Sequence, residues 1–277
     1  MANPAYSAAS TKAEQLYAVV NSIREFDKLT LAGVISAIIK PSDRENCFLA
    51  TYYRTAGNID SLLALNSPKH FQAAAMLARS LFELAVDIKL IDKIPGSSLK
   101  MIFFVEIEKL RSARKIIDFA KSNPGRTFDI SLQTEFVAKN EARIEHNQKT
   151  LWPSRKPKAK PSDLKHWSGK NLSQRATLLG DPFDEMYNSQ YPRLSWYVHS
   201  GLTGVLNLPS DFFPMVHGYA LSLCISCYSQ ILESVIHELK IHLADEKIHK
   251  TLKYATLLPF TKTPEDGVRL FHELLGG

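Results

Sequence analysis

From Phe212 to Leu232 the chain carries no Asp, Glu, Lys or Arg. A run of that length and polarity has two homes: the hydrocarbon of a bilayer, or the buried middle of a helical assembly. Pro214, His217, Gly218, Ser222, Ser226, Ser229 and Gln230 interrupt the apolar residues, and no basic residue flanks the run directly. A spanning helix favours uninterrupted apolar residues and basic cytoplasmic flanks. The segment is therefore expected to be the long central helix of a bundle, running on to Leu243, with no membrane span.

The remaining sequence supports the same class. Gly is scarce, at 12 of 277 residues, and Leu, Ala, Ile, Lys and Glu are abundant, a balance that favours helix over sheet. Leu16, Val19, Val20, Ile23 and Phe26 recur at helical spacing within a helix expected from Ser10 to Lys28. Residues 27–39 either continue it or break near Gly33. Ser42 or Asp43 is placed to cap a helix reaching Leu65, and Ser67 with Pro68 to start another reaching Lys93. Pro95 and Gly96 punctuate before a helix that begins at Ser97 or Ser98 and ends near Pro124. Ser131 to Leu151 reads as an exposed helix, with Glu135 and Lys139 paired and Glu141 and Glu145 mildly repulsive. A short helix spans Gly169 to Gly180, and two more are expected at 245–258 and 264–275. No alternation long enough for a strand occurs. The expectation is an all-α, multi-helix bundle forming one domain over 1–277: N-terminal helices 1–66, a core bundle 67–243 and C-terminal helices 244–277.

Within that core, residues 152–168 form a connector broken by Pro153, Pro157 and Pro161, a composition that resists helix. Between Lys149 and Lys170 seven cations face the single acid Asp163, which matches the whole net charge of +6. Lys156, Lys158, Lys160, Lys165, Trp167 and Lys170 are thus binding candidates for RNA or another acidic partner; the alternative is a solvated loop kept soluble by lysine.

Three cysteines, Cys47, Cys224 and Cys227, make an odd and irregular set that argues for a reducing compartment. Cys224 and Cys227 have redox or zinc spacing, but they lie in the apolar run without a strand–helix context or a second ligand pair, so packing is the better account. The start of the chain lacks a basic and an apolar secretory region, and a cytoplasmic location is expected. No phosphate-binding, dinucleotide, nucleophile-elbow or zinc-protease pattern is present.

Two polar insertions in apolar helices are where chemistry would sit. Arg79 and Glu83 stand four apart on one helical face among Ala75, Leu77, Phe82 and Leu84. Either they form an internal ion pair that fixes register, or they take part in catalysis. The second insertion opens a helix at Pro192: Ser195 and His199 share a face, with Tyr191 and Arg193 at its entrance. His199 is suited to general acid–base work near neutrality, while Arg193 or Arg79 would hold phosphate. With no metal-ligand cluster beside His199, the chemistry expected is metal-independent and cofactor-free.

Arg79 with Glu83, then Trp167–Lys170, then Tyr191 with Ser195 and His199 together resemble a bacterial helical family of unknown function. The resemblance covers Phe71 to Leu232. It assigns motif positions to Arg79, Glu83, Trp167, Gly169, Lys170, Tyr191, Ser195 and His199. Arg193 followed at six positions by His199 is also similar to the signature of the higher-eukaryote-and-prokaryote nucleotide-binding ribonucleases. That likeness implies helical bundles that cleave RNA without metal, often with the Arg and His drawn from two protomers. Leu194 departs from the polar residue usual there. Six positions also turn a regular helix by about 240°, so Arg193 and His199 would meet through a homodimer interface or a frayed first turn.

The expected function is metal-independent RNA cleavage, or an RNA-directed role, by an Arg/Glu/Ser/His cluster facing a cleft beside the basic segment. The rival is a non-catalytic binding or regulatory module in which the cluster locks the helices and the connector docks an acidic partner.

Overall fold

The apolar run becomes helix α10 (Phe212–Glu238), whose residues from Ala220 to Ile236 are almost all buried. The computed structural model describes residues 4–125, 128–153, 164–198, 212–242 and 252. By length and composition α10 could cross a membrane, yet most of its apolar window is covered by the protein itself. It ends at Glu238, short of the expected Leu243, because Lys240 turns into the left-handed region at φ 52°. The two helices expected at 245–258 and 264–275 lie outside the described residues, apart from Leu252.

Helices fill the described residues and no strand is present among them. Helix α1 (Pro4–Phe26) runs into a π-helical turn (Asp27–Leu31) and then α2 (Ala32–Ser36). Gly33 therefore does not break it; the helix ends at Ser36, and Lys40, with φ 55°, turns the chain ahead of Pro41. Helix α3 (Asp43–Ala64) begins in a capping box: Ser42 Oγ accepts from the Glu45 N–H at 3.2 Å, and the Glu45 carboxylate accepts from the Ser42 N–H at 2.7 Å. Those bonds hold the Glu45 carboxyl below its ordinary range. Ser67 caps a single 3₁₀ turn (Pro68–His70), after which α4 (Phe71–Leu90) follows.

The chain forms two compact units, residues 1–93 with 172–277, and residues 94–171. In the larger, α10 packs chiefly on α4 and also on α1 and α3. Ala74, Ala75, Ala78 and Ala85 of α4 are fully buried; such small side chains let a neighbouring helix approach closely. Helices α7 (Leu172–Leu179), α8 (Phe183–Ser189) and α9 (Tyr191–Val198) also belong to this unit. α8 lies between the helix expected at Gly169–Gly180 and the one opening at Pro192, where no helix was expected. It sets Phe183 and Tyr187 beside Phe82 of α4, with ring centroids 6.3 and 6.5 Å away. Arg175 of α7, itself buried, pairs with Asp87 of α4.

A carboxylate sits inside this larger core. Asp27, at the π-helical turn, is completely buried. It occupies the position four beyond Ile23, where an apolar residue would continue the inner face of α1. Tyr52 of α3 donates to its Oδ1 at 2.7 Å, while Tyr228 of α10 and Arg24 donate to Oδ2. Arg24 also donates to both oxygens of Asp60, at 2.8 and 2.7 Å. A buried charge is tolerated when its partners are this complete. Burial, reinforced by Asp27, raises the Tyr228 and Tyr52 phenols, which stay protonated as donors.

The smaller unit is a hairpin of α5 (Ser97–Lys121) and α6 (Ser131–Leu151). Phe103, Ile107 and Leu110 of α5 pack on Ile144, with Trp152 and Leu164 closing the cluster. The repulsion expected between Glu141 and Glu145 is neutralised: Arg114 of α5 donates to both. The segment after the basic connector returns to this core, where the Trp152 indole N–H donates to the Trp167 carbonyl at 2.9 Å and Arg111 donates to the Leu164 carbonyl at 2.7 Å.

Candidate functional site

The two polar insertions meet on α4 and α9. Arg79 and Glu83 occupy successive turns of one α4 face, and α9 lays Tyr191 across them. Arg79 Nη2 donates to the Tyr191 hydroxyl at 2.8 Å, and that hydroxyl donates to Glu83 Oε1 at 2.9 Å. The guanidinium carbon also lies 4.7 Å from the Tyr191 ring centroid, within cation–π range. Phe82 supports the same ring from α4 at 5.3 Å, and Tyr187 stacks on it from α8 at 5.5 Å. The phenol is thus fixed on several sides, and it fixes the guanidinium in turn.

Burial raises the Tyr191 phenol, the Arg79 hydrogen bond opposes that shift, and the Glu83 charge adds to it. The hydroxyl is therefore a proton-bearing bridge between cation and carboxylate. Arg79 and Glu83 are only half-buried, and Arg79 Nε, itself shielded from solvent, has no hydrogen-bond partner among the described residues. A planar guanidinium held in one orientation is suited to phosphate or carboxylate oxygens.

The other sequence candidates are placed differently. Ser195 Oγ donates to the Tyr191 carbonyl one turn back at 2.9 Å, so its hydroxyl hydrogen is engaged by its own helix. Arg193 stands on the other side of α9, exposed, with its guanidinium carbon 5.7 Å from the Tyr219 ring of α10. His199 lies outside the described residues, as do Lys156, Lys158 and Lys160 of the basic segment. In the smaller unit, Trp167 is buried as a packing residue, and Lys165 and Lys170 are exposed. Gly169, at φ 71°, closes a tight turn there: the Ser168 N–H donates to His166 Nδ1 at 3.2 Å, and the Lys170 N–H donates to Ser168 Oγ at 3.2 Å.

Sequence reasoning missed the outer face of α9. Trp196 is 68 % exposed there, one turn from Arg193, and Tyr219 and Phe213 of α10 are also partly exposed. The i, i+3 spacing of Arg193 and Trp196 was the available signal. Behind them the Phe71 ring stacks on Phe213 at 5.0 Å, and the Tyr197 ring meets Phe71 and Phe212 edge-on at 5.9 and 5.2 Å. Among the described residues, no three His, Cys, Asp or Glu side chains cluster as a metal site would.

A model of a family of unknown function, DUF5677, matches residues 46–211, more than half of the chain. The chain belongs to DUF5677. The DUF5677 span opens in α3 and closes just before α10. It takes in Arg79, Glu83, Trp167, Gly169, Lys170, Tyr191, Ser195 and His199, the residues that carried the resemblance. It starts earlier than Phe71 and stops earlier than Leu232, the limits drawn from those motifs. No curated protein and no solved structure matches the chain.

Proposed function

We propose that this DUF5677 protein is directed at RNA and cleaves it without a metal. The observation that carries the reading is the Arg79 guanidinium, aligned by the Tyr191 hydroxyl and backed by Glu83. In this scheme His199 takes the proton from a ribose 2′-hydroxyl. The 2′-oxygen bonds to phosphorus, the bond from phosphorus to the 5′-oxygen breaks, and a proton returns to that leaving oxygen. Arg79 stabilises the charge that builds on the phosphoryl oxygens. The outer face of α9 suits single-stranded nucleic acid, because exposed Trp196 and the Arg193–Tyr219 stack offer flat surfaces beside positive charge. The Arg193–His199 likeness to metal-independent ribonucleases supports the same class.

The test is degradation of single-stranded RNA in EDTA. Wild type is expected to cleave, and His199→Ala, Arg79→Ala and Tyr191→Phe to lose roughly 10²–10⁴-fold. Cleavage no better than buffer in all four proteins overturns the catalytic reading.

A second reading is favoured by Ser195, whose hydroxyl is engaged by its own helix, and by the closed hydrogen bonding around Tyr191. Here the cluster locks α9 onto α4, and the chain is a binding module for an acidic partner. His199→Ala would then lower the melting temperature with no activity to lose. Neutralising Lys156, Lys158 and Lys160 would weaken binding and flatten its salt dependence.

A further inference from the structure

The outer face of α5 has a pattern that its own hairpin meets only at one end, where the Phe119 ring touches Phe128 edge-on at 5.5 Å. Ile102, Val105, Lys109, Ser112, Ile116 and Phe119 are all exposed and follow one another at spacings of three, four, three, four and three. This is the a/d spacing of a coiled-coil seam. It is separate from the face carrying Phe103, Ile107 and Leu110, which packs on α6. Val105 is 52 % exposed, Ile116 45 % and Phe119 52 %. Beside the seam, Leu132, Gln133 and Phe136 of α6 complete an open groove of about 450 Å³. Leu132 is 74 % exposed, and Gln133 Oε1 is buried with no hydrogen-bond partner among the described residues.

We propose that this seam binds a second copy of the chain, with the two α5 helices antiparallel. The seam reads apolar, apolar, polar, polar, apolar, apolar, which is the same in both directions. A two-fold axis between Lys109 and Ser112 sets Ile102 against the partner's Phe119 and Val105 against the partner's Ile116. Lys109 then faces the partner's Ser112. A parallel pairing would instead stack Lys109 on its own equivalent, burying like charges.

The flanks agree with the antiparallel choice. Glu108 precedes one polar layer and Lys115 precedes Ile116; in the antiparallel register they fall opposite each other across the interface, twice by symmetry. An isologous contact of this kind closes as a dimer and goes no further. The inference concerns residues 102–136 and does not rest on the proposed function.

The test uses the full chain in solution. Sedimentation at micromolar concentration is expected to give twice the 31.1 kDa chain mass, halved by the paired change Val105→Glu and Ile116→Glu. Both side chains are exposed, so the double variant should keep its wild-type circular dichroism melt. For orientation, Ile102→Cys and Phe119→Cys variants are oxidised separately and mixed. The native cysteines are buried and will not compete. These positions lie roughly 26 Å apart along the helix, so an antiparallel seam cross-links only in the mixture. A monomeric wild type, a dimer indifferent to the glutamates, or variants that each cross-link to themselves would overturn the proposal.

Discussion

Tyr228 and Asp27 stand 201 positions apart and meet through a hydrogen bond from phenol to carboxylate inside the core. That contact, with Tyr52 and Arg24 on the same carboxylate, ties α10 and α3 to the π-helical turn after α1. Asp27→Asn removes the negative charge from a fully buried site and leaves Arg24 with Asp60 alone. Breaking one side of a buried ion pair costs about 3–5 kcal/mol. Tyr228→Phe loses one hydrogen bond to a charged group, about 1.5–3 kcal/mol. Urea denaturation should rank the two variants in that order.

Tyr191→Phe keeps the ring on Phe82 and Tyr187 but deletes the bridge between Arg79 and Glu83. One half-buried donor and one acceptor lose their partner, so a loss of about 1–3 kcal/mol is expected. Glu83→Gln, which can still accept from the phenol, should cost less. The proposed RNA cleavage should fall much further in Tyr191→Phe than a loss of folded protein explains. Melting curves and single-turnover cleavage on the same preparations separate the two effects.

His217 of α10 is buried, and neither ring nitrogen has a hydrogen-bond partner among the described residues. Burial, assisted by the nearby His70 charge, lowers its pKa from 6.5 to about 4. The folded state thus holds fewer protons on this ring than the unfolded state does between those values. Stability contributed by the neutral ring is complete above pH 6.5 and is lost as pH falls toward 4. The loss amounts to at most about 3 kcal/mol. His217→Leu should flatten that part of the stability profile, measured by denaturant titration from pH 7.5 to 4. An unchanged slope would show that the ring does not govern it.

Cys224 and Cys227 are fully buried, and burial raises both thiols far above the ordinary range; the Cys47 thiol is pushed up to about 11. Thiolate is the reactive form. The native protein at pH 8 should therefore resist iodoacetamide, then take up three labels in denaturant. Mass spectrometry after brief labelling gives the count.

The fold class was readable because it depends on period and punctuation. The uncharged run, the Ser42 and Ser67 caps and the break at Pro95 and Gly96 each act within a few residues, and each lies where the pattern put it. The meeting of Arg79 with Tyr191 could be expected only as a consequence of two polar insertions in apolar helices. Nothing local specifies that α9 rests on α4 with its phenol between a cation and a carboxylate. Asp27 was illegible for a related reason: beside Lys28 it looks like a solvated charge, and its partners come from helices far along the chain. The paired glutamates of α6 show the converse, since Arg114, supplied by another helix, turns a local repulsion into attraction.

The boundaries of the DUF5677 match leave out α1 and α10. α10 packs on α4 and carries Tyr228, while α1 packs on α10, carries Arg24 and runs into the turn that holds Asp27. A recombinant fragment trimmed to 46–211 would come out of the ribosome with its greasiest surface bare and would be recovered from inclusion bodies. Sequence kinship and the unit that can stand by itself are drawn along different lines in this protein.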